Sequence, residues 1–152
     1  MSIAPVVVEV EVSTPPARAF ELFTTRMGRW WLKGRTPARN PHEDIVIEPF
    51  AGGRWFERDA EGAETRWGTV LAFEPPGRLL LGWQLGPDFT YDPDLSTEVE
   101  VMFTEAADGG TRVRLEHRQL ERLGDAAETM ARAVGGGWPQ RLAAYADYGR
   151  PA

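Results

Sequence analysis

Near the C-terminus an apolar stripe runs straight through residues that ordinarily end a helix. Met130, Val134, Trp138, Leu142 and Tyr145 recur at three- and four-residue spacing, the pattern of a single helical face. Across that stripe lies Gly135-Gly136-Gly137-Trp138-Pro139. In a helix interior glycine costs about 1 kcal/mol and proline about 3 kcal/mol relative to alanine. The spacing therefore predicts one long, kinked C-terminal helix lying against a sheet, with small residues where backbone or ligand comes close.

The rest of the chain supplies the sheet. Val6, Val8, Val10 and Val12 alternate with polar residues and predict a first strand with one buried face. Ser13 or Thr14 is placed to cap the next helix, with Pro15 in its first turn. Ala19, Phe20, Leu22 and Phe23 mark that short helix, and Met27, Trp30 and Trp31 a second one. Lys33 to Glu43 has the composition of a loop. Six strands are then expected in quick succession: Ile45–Phe50, Arg54–Arg58, Thr65–Glu74, the run holding Leu79 to Leu85, the run holding Val99 to Phe103, and Thr111–Gln119. Short turns such as Ala51-Gly52-Gly53 and Asp108-Gly109-Gly110 join most of them, which favours antiparallel pairing. Pro87 to Leu95 is a longer loop.

The expected class is α+β: a curved, mostly antiparallel sheet of about seven strands gripping a long kinked C-terminal helix, with two short helices after strand 1. The helix is the one large apolar partner for the sheet, so the sheet must curve around it. The space between them is the natural place for a ligand. Residues 1–148 are expected to form one domain, with 149–152 a tail.

Totals narrow the function classes. The chain has 152 residues and no cysteine, which excludes disulfides, thiolate metal sites and cysteine nucleophiles. Met1 to Val12 lacks the pattern of a secretory signal. No run approaches the roughly 18 apolar residues of a membrane span, and a cytoplasmic location is expected. The net charge is -6, and the arginines are dispersed along the chain. Without a concentrated positive stripe, neither nucleic acid nor a membrane surface is an expected partner.

Metal and cofactor signals are weak. His42 and His117 are far apart, and His42-Glu43-Asp44 reads as a solvated turn. Asp88, Asp92 and Asp94 lack the glycine and terminal glutamate of a calcium loop. Neither glycine run has the lysine of a phosphate-binding loop. No cofactor is expected.

Several motifs carry a resemblance. They are Phe20-Glu21-Leu22-Phe23-Thr24-Thr25 with Gly28-Arg29-Trp30-Trp31, then Pro49-Phe50-Ala51-Gly52-Gly53-Arg54-Trp55. Trp67-Gly68-Thr69-Val70 and Glu74-Pro75-Pro76-Gly77-Arg78-Leu79 follow, then Trp83, Thr111 to His117, and Gly137-Trp138-Pro139. In this order they resemble the START-like, or SRPBCC, superfamily, whose helix-grip fold is shared with the birch pollen allergen. More narrowly, the chain resembles the branch of homologues of the activator of the ninety-kilodalton heat-shock protein ATPase. The resemblance implies a ligand-holding fold used by carriers, receptors, cyclases and co-chaperone domains. It implies no common catalytic set.

His117 is the sharpest single candidate. It shares strand parity with Val113 and Leu115 and so faces the interior. There it either orients a ligand or exchanges a proton, or it is a structural histidine bonded to a carbonyl or to the C-terminal helix. Glu116 has the opposite parity and faces solvent. Among the tryptophans, Trp83 and Trp138 are the strongest cavity candidates, while Trp55 and Trp67 depend on strand parities left open. With Phe103, Met130, Val134 and Leu142 they complete the expected ligand-binding set.

Three functions compete. The leading one is binding of an apolar or amphipathic small molecule, hydrophobic or aromatic, between sheet and helix. The second is a cyclase, aromatase or hydrolase with His117 as acid or base, assisted by Tyr145 or an inward arginine. The third is a protein-interaction module, or a homodimer joined through exposed aromatics at Trp30-Trp31.

Overall fold

A computed structural model describes residues 3–32, 36–86 and 88–149. Lys33 and Gly34 of the expected loop, Pro87, and residues 150–152 of the expected tail lie outside the described residues. In chain order the elements are β1 (Val6–Val12), α1 (Pro16–Thr24), α2 (Met27–Trp30), β2 (His42–Ile47), β3 (Arg54–Asp59), β4 (Glu64–Glu74) and β5 (Arg78–Trp83). Then come β6 (Thr97–Glu105), β7 (Thr111–Arg118), a 3-10 helix (Leu120–Ala126) and α3 (Ala127–Tyr148).

The seven strands form one sheet in the order β1-β7-β6-β5-β4-β3-β2, and every neighbouring pair is antiparallel. β2 to β7 make a continuous meander, and β1 returns to pair with β7, Val6 opposite His117 and Val10 opposite Val113. The register slips at Trp55/Phe56 and at Val70/Ala72. Such bulges bend a strand and increase its twist, and here they help the sheet close around its contents. The first slip sets Trp55 inward, fully buried. Phe56 packs under Arg54 and Arg58, whose guanidinium carbons lie 4.4 and 5.5 Å from its ring centre.

Several boundaries differ from expectation. Pro15, not Ser13 or Thr14, is the N-cap of α1, and no side chain caps the helix. Pro16 takes the first helical position, where its fixed φ and missing N–H cost nothing. β2 starts at His42 and ends at Ile47, because His42 is drawn in by a 3.0 Å bond from Nε2 to the Gly28 carbonyl. β5 stops at Trp83, and Leu85 pairs only in an isolated bridge with Tyr91. The C-terminal helix runs as one 22-residue element through Gly135–Pro139. The residue that leaves helical geometry is Gly124, at φ 62° and ψ −126°, which turns the 3-10 helix into α3.

Two aromatic groups fill the interior. Under α1, Phe20 and Phe23 pack edge-on against Phe103 at 5.1 and 5.7 Å. Against α3, five tryptophans close a ring of contacts: Trp31–Trp67 at 4.9 Å, Trp67–Trp55 at 5.3 Å, Trp55–Trp83 at 5.8 Å, Trp83–Trp138 at 5.7 Å and Trp138–Trp31 at 5.8 Å. No helix among the described residues is long and apolar enough to cross a membrane.

Candidate functional site

The tryptophan ring is assembled from β3, β4, β5, the residue after α2, and α3. Trp55 and Trp67, whose parity the sequence left open, both turn inward and join Trp83 and Trp138. Met130, Val134 and Leu142 line the buried face of α3. Phe103 is buried as well, but in the group beneath α1 rather than in the ring. Against the ring a space of about 10 Å³ remains, bordered by Trp31, Pro37, Trp67, Trp83, Leu85, Phe89 and Arg141. That is smaller than one aromatic ring.

A larger space lies beside it. A half-open cavity of about 480 Å³ follows one flank of α3, where Ala133, Gly136, Gly137, Gln140 and Arg141 face Phe89 and Thr36. Phe89 and Arg141 border both spaces and form the partition between them. Arg141 is 9% exposed, its guanidinium carbon 4.7 Å from the ring centre of Trp31 and 5.5 Å from that of Trp138. These are cation–π distances. Gly137 makes this position available: a Cβ there would stand 2.5 Å from Nη1 of Arg141. At Gly136 a Cβ would meet nothing within 4 Å, so that glycine leaves open space.

His117 is fully buried and held through both ring nitrogens. Trp138 Nε1 donates to Nδ1 at 3.1 Å, and Nε2 lies 2.8 Å from the Thr97 hydroxyl. Burial, and secondarily the charge of Arg141, pushes its pKa down to about 3. The imidazole is neutral at physiological pH. Both ring nitrogens are engaged within the scaffold, which favours the structural alternative over a working acid or base. Tyr145 donates its hydroxyl to the Ala19 carbonyl at 2.8 Å, and burial raises its pKa; it is bound to the scaffold as well. Trp30 and Trp31 are 4% and 3% exposed, so the expectation of an exposed aromatic contact there is wrong. Both are consumed by packing against Phe23, Tyr145, Trp67 and Trp138.

Sequence reasoning missed Arg141, Phe89, Thr97 and Glu57. Glu57 is 1% exposed. Its Oε1 accepts from Trp67 Nε1 and from the Ala38 N–H, each at 3.0 Å. A usable signal existed for Arg141, three residues from Trp138 on one helix. Asp88 and Asp92 accept from backbone N–H groups two residues on, as turn residues do. Among the described residues no group of three or more His, Cys, Asp or Glu is arranged to hold a metal.

Residues 13–148 match the family model described as Activator of Hsp90 ATPase homolog 1-like protein. No curated protein matches the chain. Among solved structures, an anthrahydroquino-γ-pyrone synthase, Txn09, is 36% identical, with 96% of this chain and 97% of that one covered and a TM-score of 0.67. The self-sacrificing resistance protein CalC from Micromonospora echinospora is 30% identical, covering 95% of this chain and 93% of that one at a TM-score of 0.72. Protein MLL2253 from Mesorhizobium loti, 24% identical over 94% of both chains at a TM-score of 0.65, shares the fold.

Proposed function

This chain belongs to the Activator of Hsp90 ATPase homolog 1-like family, and from that premise we propose that it binds a flat, oxygenated aromatic small molecule between the sheet and α3. One observation carries the reading: the half-open cavity over Gly136 and the tryptophan-lined space behind it share Phe89 and Arg141 as walls. A ligand docking over Gly136 meets a cation, an aromatic ring and, one layer deeper, the tryptophans. Planar aromatics suit such walls, which offer ring faces for stacking and few polar groups for orientation.

The inner space of about 10 Å³ requires the partition to move as a ring enters. Phe89 is suited to this. It stands at φ 60°, one of two non-glycine residues at positive φ among the described residues, a region costly for a bulky side chain. It lies outside the regular strands and helices. The likeness to a synthase of an anthrahydroquino-γ-pyrone supports a polycyclic aromatic ligand class. It also motivates a second reading, in which the bound molecule is converted; His117, neutral and doubly bonded, takes no proton in that chemistry.

Titration of the purified protein with planar oxygenated aromatics, fatty acids and sterols tests the reading, followed through quenching of tryptophan fluorescence and through melting. A ligand at about 100 times its Kd stabilises the fold by roughly 2.7 kcal/mol, a shift of several degrees for a domain of this size. Hits confined to the aromatics support the proposal. Hits confined to fatty acids or sterols overturn it.

A further inference from the structure

Polar atoms without partners occur among the side chains of the tryptophan ring and the glutamate that braces it. Glu57 projects from β3 beside Trp55, and while its Oε1 accepts two N–H groups, its Oε2 is buried with no hydrogen-bond partner among the described residues. The indole N–H of Trp83 is buried and unpartnered in the same way. Buried polar groups in folded proteins are nearly always hydrogen-bonded, and each exception calls for a reason. Here the unmet groups are one acceptor, on Glu57, and two donors, the indole N–H groups of Trp83 and Trp55. Trp67, which holds Glu57, and Trp83 both border the space behind the partition, with Pro37 next to the Ala38 N–H that also holds Glu57. The ring of Trp55 touches both Trp67 and Trp83.

We propose that Glu57 and Trp83 read the oxygen pattern of the ligand. Glu57 Oε2 accepts a hydrogen bond from a ring hydroxyl, and Trp83 Nε1 donates one to a ring carbonyl. The ligand class is thereby narrowed from planar aromatics in general to those that carry both groups, the pattern of a hydroxyquinone. The inference rests on the binding reading above and deepens it. No bond is broken in this recognition; the hydroxyl proton stays on the ligand. Specificity arises because a site built around a hydroxyl leaves its acceptor unpaired when the hydroxyl is missing.

The test compares 2-hydroxyanthraquinone, its methyl ether and unsubstituted anthraquinone, titrated in mildly acidic buffer so that the phenol keeps its proton. Wild-type protein is expected to bind the hydroxyquinone about 10-fold or more tighter than either analogue. Glu57→Gln is the informative variant. Its amide oxygen can still accept from Trp67 and Ala38, while its NH₂ replaces an acceptor by a donor where Oε2 stood. The hydroxyl preference is expected to vanish or invert in favour of the ether. Trp83→Phe should weaken all three quinones and leave their ratio unchanged. If wild type binds the three equally, the role of Glu57 is wrong although the binding reading stands. If none of the three binds, the binding reading fails and this inference with it. The wild-type ratio decides the matter even if Glu57→Gln does not fold.

Discussion

The indole N–H of Trp138 can only donate, so its bond to Nδ1 of His117 fixes the imidazole as the tautomer that carries its proton on Nε2. Nε2 then donates to Thr97 Oγ1, and one residue ties β6, β7 and α3 together. Protonating Nδ1 would break the bond to α3. The folded-state pKa of about 3 lies below the ordinary 6.5, so between those values the unfolded chain binds a proton that the folded chain does not. Stability is therefore full above pH about 6.5 and falls as the pH drops, by about 1 kcal/mol per pH unit. Carboxylates contribute little to this slope above about pH 5, but His42 is a second buried histidine. In urea midpoints measured between neutrality and that value, the change in slope between wild type and a His117 variant, not the wild-type slope alone, therefore reports on His117. His117→Gln is expected to flatten the slope while lowering stability at neutral pH by about 1–3 kcal/mol. An unchanged slope in that variant would assign the acid sensitivity elsewhere. The inward parity of His117 was legible in the sequence, because β7 is regular from Thr111 to Arg118. Glu57 was not, because a lone glutamate reads as a solvent-facing charge and the slip at Trp55/Phe56 defeats counting across β3 and β4.

At the scale of the element, α3 tolerates Gly135 to Gly137 because its buried face, not its propensity, holds it in place. The apolar stripe was legible for that reason, and the break at Gly124 was not, since no periodicity ends there. Gly136 and Gly137 differ sharply in what a side chain would meet. Gly136→Ala adds a methyl to open space and is expected to raise stability by about 0.5–1 kcal/mol. Gly137→Ala would push the guanidinium of Arg141 off Trp31, and denaturant unfolding should show that gain reduced or reversed. The partition is open to the same kind of test. Phe89→Ala removes one of its two walls, and stopped-flow quenching should record faster association of a planar aromatic ligand. An association rate identical to wild type would mean that Phe89 does not gate the inner space.

At the scale of the whole molecule, the sheet and α3 enclose tryptophans rather than a void. The helix-grip architecture and the strand count were legible because strand alternation and the helical stripe persist over long stretches. The filling of the grip was not, since the same inward tryptophans would line a void or close one, and the outcome depends on how far the bulges curl the sheet. The ring also carries much of the stability: Trp138→Ala should cost about 3–5 kcal/mol, leaving the His117 acceptor unmet as well. Affinity that survives in a folded Trp138→Ala protein would place the ligand outside the ring. The central claim is that a planar aromatic ligand sits over Gly136 against the partition, and Gly136→Leu tests it most directly. The account predicts a variant that melts no lower than wild type, because the helix gains a better residue in open space, yet loses affinity for the ligand by at least about 10-fold as the cavity fills. A well-folded Gly136→Leu protein that binds as tightly as wild type would contradict it.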